Sequence, residues 1–360
     1  MKTIALFNNK GGVGSTTLLY HLAWMFSDLG LRTVAVDLDP QSNLTSMFLS
    51  EGRLDELWEG PATGHTIVNA VAPLLEQGTG DVAQPRSEAS IIRTWRKILE
   101  EGTGDVAQPH SEIITPNLAL VPGDLDLARM EDRLSAQWPK CLEGIPRAFR
   151  ITTALHRVVH LAADRFHADI ALLDVGPNLG ALNRCALIAA DHIAVTLAPD
   201  LLSLQGLRSL GPALNEWRKG WARRLEKAPA SLTDLPKGLM QPAGYVVLQD
   251  AVRQTRTVSA YLRRAQRIPS EYRTAILGLD AGPAGLTPEQ DPNCLAQLKH
   301  YPSLMPMALQ AGKPIFHLKP ADGAIGAHVA AVAQCGKDFR RLALRLAQGT
   351  ALALPSNPEA

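Results

Sequence analysis

The sequence predicts an α/β fold: a mostly parallel central sheet flanked by helices on both faces. Three observations carry this. Apolar runs of strand length alternate with stretches whose apolar residues recur every three or four positions. Such alternation implies βαβ units and a sheet covered on both sides. One strand opens into a glycine-rich loop and two others end in aspartate, as expected where ligands sit at the carboxyl edge of a parallel sheet. At 360 residues, 46% hydrophobic and 20% charged, the chain can bury a large core.

In order, Lys2–Phe7 reads as a short buried strand and Asn8–Gly14 as a loop. Thr16–Leu29 is a helix with Leu18, Leu19, Leu22, Met25, Phe26 and Leu29 on its apolar face, and Gly30 is placed to end it. Arg32–Asp37 is the second strand, ending in Asp37-Leu38-Asp39-Pro40. Leu118–Pro122 is the third, with a helix following through Met130. Leu155, Val158, Val159 and Ala162 mark a helix that leads into the strand Ile170–Asp174. Ile193–Leu197 precedes a helix beginning near Leu204, Tyr245–Leu248 is a sixth strand, and Ile325–Leu346 closes the chain as a helix. The whole of 1–360 reads as a single domain.

Composition excludes several classes. Thirty-six basic against 35 acidic residues net +1, which argues for no particular partner. No apolar run approaches the roughly 18 residues of a membrane span, and no signal peptide precedes the first strand. The cysteines Cys141, Cys185, Cys294 and Cys335 lie far apart, as free thiols of a reducing cytoplasm would. His156 and His160 stand four apart, but Arg157 occupies the place of a zinc-protease glutamate, so both are expected to be surface histidines.

One segment breaks the pattern. Gly78–Glu88 recurs as Gly102–Glu112 with only Arg86 changed, to His110. Two copies make no solenoid. They read as a tandem duplication within a surface insertion at about 51–115.

Asn9-Lys10-Gly11-Gly12-Val13-Gly14-Ser15-Thr16-Thr17 carries the chemistry. Its three glycines allow a tight turn whose amides converge on an anion, aided by the following helix. The stretch resembles the deviant P-loop of the ParA/MinD family of ATPases, KGGxGK[ST][ST]. Five further segments match that family in order: Val36–Asn43 (first switch), Leu118–Leu127, Asp174–Gly180 (Walker B and second switch), Pro199–Leu207 and Ala311–Phe316.

The resemblance implies ATP or ADP with Mg2+, bound by Lys10, Gly11, Gly12, Val13, Gly14, Ser15, Thr16 and Thr17. Thr16, Asp37 and Asp174 would serve the metal. Asp39 would orient the attacking water, and Lys10 would reach the nucleotide of a facing subunit in an ATP-sandwich homodimer.

Ser15 departs from the family, which has a lysine there. Loss of a charge-assisted hydrogen bond of about 1.5–3 kcal/mol would weaken binding roughly 10- to 100-fold and impair hydrolysis further. Ser15 reads either as an introduced inactivating change or as a natural variant that binds without efficient turnover.

Between Leu201 and Ala275 stand 13 basic and five acidic residues. This local field suits non-specific DNA, with Arg263, Arg264 and Arg267 as candidate contacts. No residues ahead of the first strand are available for a helix-turn-helix. The expectation is a cytoplasmic, nucleoid-associated partition ATPase with a ParB-like or cargo adaptor. A MinD-like membrane switch using Phe339–Leu346 as a basic amphipathic helix, and a nucleotide-dependent scaffold docking through 51–115, are the alternatives.

Overall fold

The computed structural model describes residues 1–59, 64–76, 106–249, 258–283 and 285–355. Its strands are β1 (Lys2–Phe7), β2 (Thr33–Asp37), β3 (Glu112–Thr115), β4 (Leu118–Val121), β5 (Ile170–Asp174), β6 (His192–Leu197), β7 (Gln241–Gln249) and β8 (Cys294–Lys299). They form one sheet in the order β3-β4-β2-β5-β1-β6-β7-β8. Every pairing is parallel except β3 with β4.

The helices are α1 (Ser15–Asp28), α2 (Asn43–Phe48), α3 (Glu51–Trp58), α4 (Ile67–Glu76), α5 (Met130–Lys140), α6 (Pro146–Thr152), α7 (Ala154–Phe166), α8 (Ala181–Ala189), α9 (Leu201–Leu225), α10 (Val258–Ala265), α11 (Ile268–Ala275), α12 (Met305–Gln310) and α13 (Ala327–Gly349). Alternate residues of each strand enter opposite cores, as the two-residue period requires. Ile4 and Leu6 of β1 join α1 and α13 on one face, while Ala5 and Phe7 join the layer containing α4, α7, α8 and α9 on the other. Burial on both faces is why the central strands are continuously apolar.

All six expected strands form; β3 and β8 were not anticipated. Both are edges, and an edge strand keeps polar residues. The pattern Cys-Leu-Ala-Gln-Leu-Lys of β8 does not read as a strand by itself. The long helix α9 starts at Leu201 rather than near Leu204, because the Asp200 carboxylate caps it by accepting from the Ser203 amide at 2.8 Å.

Three expectations are corrected. First, part of 51–115 is body rather than surface insertion: Ile67, Ala70, Val71 and Leu74 of α4 lie in the core, and the Ile67 amide donates to the Pro122 carbonyl. The described part of the second repeat copy, residues 106–112, is docked there. Its Ala107 amide donates to Ala70 O at 2.8 Å, Pro109 is buried, and His110 stacks on His65 and pairs with Glu112 at 2.8 Å. The first copy, Gly78–Glu88, lies outside the described residues. Second, His156 is buried rather than surface-facing, its ring against His160. Third, the apolar face of Phe339–Leu346 is spent inside. Phe339, Leu342, Ala343 and Leu346 pack in the same core as α1, leaving no free apolar stripe for a membrane. Among the described residues no helix is long and apolar enough to cross one.

His21 of α1 pins the layer holding α1 and α13. Its Nδ1 bonds the Thr17 carbonyl at 2.8 Å, its Nε2 accepts from the Ile315 amide at 3.2 Å, and Phe339 stacks on the ring. Accepting at Nε2 requires neutral imidazole. Burial pushes the pKa of His21 from 6.5 down to about 4, and burial does the same to His156.

Two outcomes are expected. Ile67→Ala should cost about 2–5 kcal/mol by denaturant titration, because α4 belongs to the core. A change below about 1 kcal/mol would mean that α4 is a surface insertion after all. In the second, the unfolded chain takes up protons at His21 and His156 between pH 6.5 and 4 that the folded chain refuses. The share of stability that rests on these two histidines therefore falls as pH falls through that window, by up to about 1.4 kcal/mol per pH unit for each. Asp37 and Asp174, raised by burial, take up protons first in the folded chain and oppose it. Compared with the unaltered chain, His21→Leu should lose less stability on acidification, the difference between the two slopes being up to about 1.4 kcal/mol per pH unit between pH 6.5 and 4.

Candidate functional site

The loop 8–14 leaves β1 at the carboxyl edge of the sheet and turns back into α1. Gly12 (φ 74°) and Gly14 (φ 92°) occupy left-handed backbone, which glycine adopts without strain. Gly14 is the N-cap of α1 and supplies no side-chain cap, so the first-turn amides of Ser15, Thr16 and Thr17 are left for an anion. The loop forms one wall of a cleft of about 1280 Å³. Asp39, Met47 and Phe48 line another wall, and Leu309–Gly312, the start of the late segment, a third.

At the carboxyl ends of β2 and β5, Asp37 and Asp174 stand opposite each other in register. Both are buried. Asp37 accepts from the Thr45 amide at 2.8 Å and the Thr45 hydroxyl at 2.7 Å, yet burial pushes its pKa up to about 6. Asp174 is also raised, by burial first and by the neighbouring Asp37 charge second. The Thr16 hydroxyl approaches Asp174 and offsets this in part, but neither Asp174 oxygen has a hydrogen bond of good geometry. Asp39 is buried at the mouth of the pair and accepts from the Gln41 amide at 3.0 Å.

Lys10 does not project free. Its Nζ pairs with Asp200 Oδ2 at 2.5 Å, and that pairing holds Asp200 below the usual carboxylate range despite burial. Ser15 turns its hydroxyl to Thr196 of β6, Oγ to Oγ1 2.7 Å. Among the described residues lining the cleft Lys10 is the one basic side chain, and Asp39 and Glu51 are the acidic ones. The loop residues 10–17 and Asp37, Asp39 and Asp174 are thus brought together. Asp200, Phe48 and Leu309 are additions that the sequence reading missed; the Pro199–Leu207 segment carried the signal for Asp200.

Arg263, Arg264 and Arg267 lie elsewhere, on α10 and at the start of α11. Arg263 and Arg267 are exposed and Arg264 half-buried. The basic stretch is weaker than its count. Arg208 and Arg267 share Glu271, Arg218 serves the carbonyls of Leu239 and Met240, and buried Arg224 lies over Trp138. Arg253 and Arg256 fall outside the described residues.

A family model described as an AAA domain matches residues 1–227. A putative replication protein A from Sinorhizobium fredii is 30% identical over 257 residues, 67% of this chain and 52% of that protein. The chain thus spans about half the length of that relative. The chromosome partitioning protein ParA of Caulobacter vibrioides is 26% identical over 233 residues, 65% of this chain and 69% of that one. A crystal structure of a Corynebacterium diphtheriae protein superposes with TM-score 0.67 at 21% identity, covering 97% of this chain and 98% of the other. The matched region takes in the loop, both aspartate-ended strands and α9. By that match the chain belongs to the ParA/MinD family of P-loop ATPases.

Proposed function

We propose that this protein is a partition ATPase whose cleft takes ATP or ADP with Mg2+ and whose nucleotide-bound form dimerises on DNA. The observation that carries the reading is the convergence, at one sheet edge, of uncapped α1 amides, Lys10 and the buried Asp37–Asp174 pair. Amides and lysine suit phosphate, and two buried carboxylates suit a cation.

Among the described residues no group of three His, Cys, Asp or Glu side chains is arranged to hold a metal alone. Mg2+ fits that circumstance, because it relies on one or two carboxylates and completes its shell with water and phosphate oxygens. Thr16, Asp37 and Asp174 would hold it, and bound there it would neutralise charge on the phosphates. Asp39, beside the pair, would accept a hydrogen bond from the attacking water.

In this reading Lys10 is held in its own subunit by Asp200 until a facing nucleotide competes for it. Ser15 adds a hydroxyl already committed to Thr196, so Lys10 is the cation left for the phosphates. Hydrolysis is therefore slowed more than binding. The exposed Leu201 and Leu202, next to Asp200, suit the contact with the second subunit. DNA contact by Arg263, Arg264 and Arg267, and recruitment of a ParB-like or cargo adaptor, rest on family membership and on the remaining exposed basic residues. The packing of α13 in the core disfavours the membrane alternative.

The test compares this chain with Ser15→Lys by light scattering, fluorescent-nucleotide titration and DNA binding at two salt concentrations, with and without Mg-ATP. Ser15→Lys should bind roughly 10- to 100-fold more tightly and regain hydrolysis. Equal turnover in both would overturn the account of Ser15, and no response to nucleotide in either would overturn the function. Asp200→Asn should keep the α9 cap, release Lys10 and tighten nucleotide binding several-fold. Unchanged affinity would mean that Lys10 does not meet the phosphates.

A further inference from the structure

Residues 175–180 leave β5 beside Asp39 and run into α8; one side chain from outside holds the segment and another holds the start of the helix it enters. Asn183, buried in the first turns of α8, donates its amide to the carbonyls of Gly176 at 2.6 Å and Asn178 at 2.8 Å. The Asn178 side chain in turn accepts from the Gly180 amide at 2.9 Å. Glu131, on α5, accepts the first two amides of α8, from Ala181 at 2.5 Å and from Leu182 at 2.9 Å. Those amides have no partner within the helix, and a carboxylate there also meets the positive end of the helix.

The fit is tight at both ends. A Cβ on Gly180 would stand 2.6 Å from Glu131 Oε1. A Cβ on Gly176 would stand 3.3 Å from Asp39 Oδ1 and 3.6 Å from the Asn183 amide nitrogen, so the Gly176 backbone lies between those two side chains. Further along α8, the Arg184 guanidinium lies 4.2 Å over the Trp138 ring of α5. Helix α8 is thus fastened to α5 at two points, and the segment is fastened to α8.

We propose that Asn183 and Glu131 are positioning residues that pre-set residues 175–180 against Asp39 before nucleotide arrives. Neither lines the cleft; they act through the backbone that faces it. This makes α5, remote from the loop, part of the apparatus that determines how the second switch meets the phosphates. The consequence for turnover rests on the function proposed above, but the pre-set geometry does not.

Amide hydrogen exchange on the nucleotide-free full chain decides the proposal by itself. The Gly180, Ala181 and Leu182 amides should be protected. Glu131→Ala should raise exchange at Ala181 and Leu182 roughly tenfold or more, with Glu131→Gln recovering part of the protection. Asn183→Asp, which keeps the shape but removes the donor, should raise exchange at Gly180 while the β1 and β6 amides stay as they were. Absent protection in the unaltered chain, or a rise spread over the whole sheet in both Glu131→Ala and Asn183→Asp, would overturn it.

A second readout uses the Ser15→Lys background. There the same substitutions should lower kcat several-fold with the nucleotide Kd unchanged, and Kd rising in step with the loss of kcat would count against positioning. If no variant binds nucleotide while the exchange pattern holds, the ATPase function fails and the pre-set segment stands.

Discussion

Two carboxylates end adjacent parallel strands and are buried side by side, and much of this structure is organised around that burden. Asp37 and Asp174 cannot both be charged in an apolar interior without a counter-charge, because burial and mutual repulsion act in the same direction. The chain supplies Asp37 with two hydrogen bonds from Thr45 and leaves the Asp174 oxygens without one of good geometry. A core built for stability alone would not keep such a pair. On the function proposed above, its position at the carboxyl edge makes it half of a cation site whose other half arrives with a ligand.

The loop side of the cleft shows the complementary restraint. An anion site needs donors that are free, and the α1 amides satisfy this because Gly14 caps the helix without a side chain. Positive side-chain charge is scarce, however, and the Lys10 ammonium is engaged by Asp200. That pair is partly exposed, so its worth in water is modest. A phosphate bearing more than one charge can compete for the lysine where a single carboxylate holds it loosely. Asp200 also caps α9, and the position of Lys10 is therefore tied to the start of a 25-residue helix.

Much of this was legible in the sequence. The glycine spacing, the strand-end aspartates and the ordered later segments identified the fold, the loop and the family, because each depends on local chemistry: positive-φ turns, uncapped amides, and buried strands that must be apolar throughout. The edges β3 and β8 were not legible, since an edge strand is covered on fewer sides and need not be apolar. His156 reads as a surface residue from its neighbours, yet it is buried against His160. The repeat announced itself by identity, but that its second copy lies against α4 depends on where Ala70 and His65 stand in space.

Taken alone, the sequence determined the chain order of the six inner strands, the glycine-rich loop and which aspartates end strands, since backbone conformation and burial pattern are written in neighbouring residues. Tertiary structure decided which residues separated by more than a hundred positions meet. Asp200 on Lys10, Thr196 on Ser15 and Asp174 beside Asp37 are contacts between different strands and loops of the sheet. It also decided how much of the basic stretch is engaged within the chain, by the Met240 carbonyl, the Trp138 ring and, at the surface, Glu271. Charge counts along a chain do not know which side chains face one another. Sheet order settles that, and sheet order follows from how all the apolar faces can be covered at once.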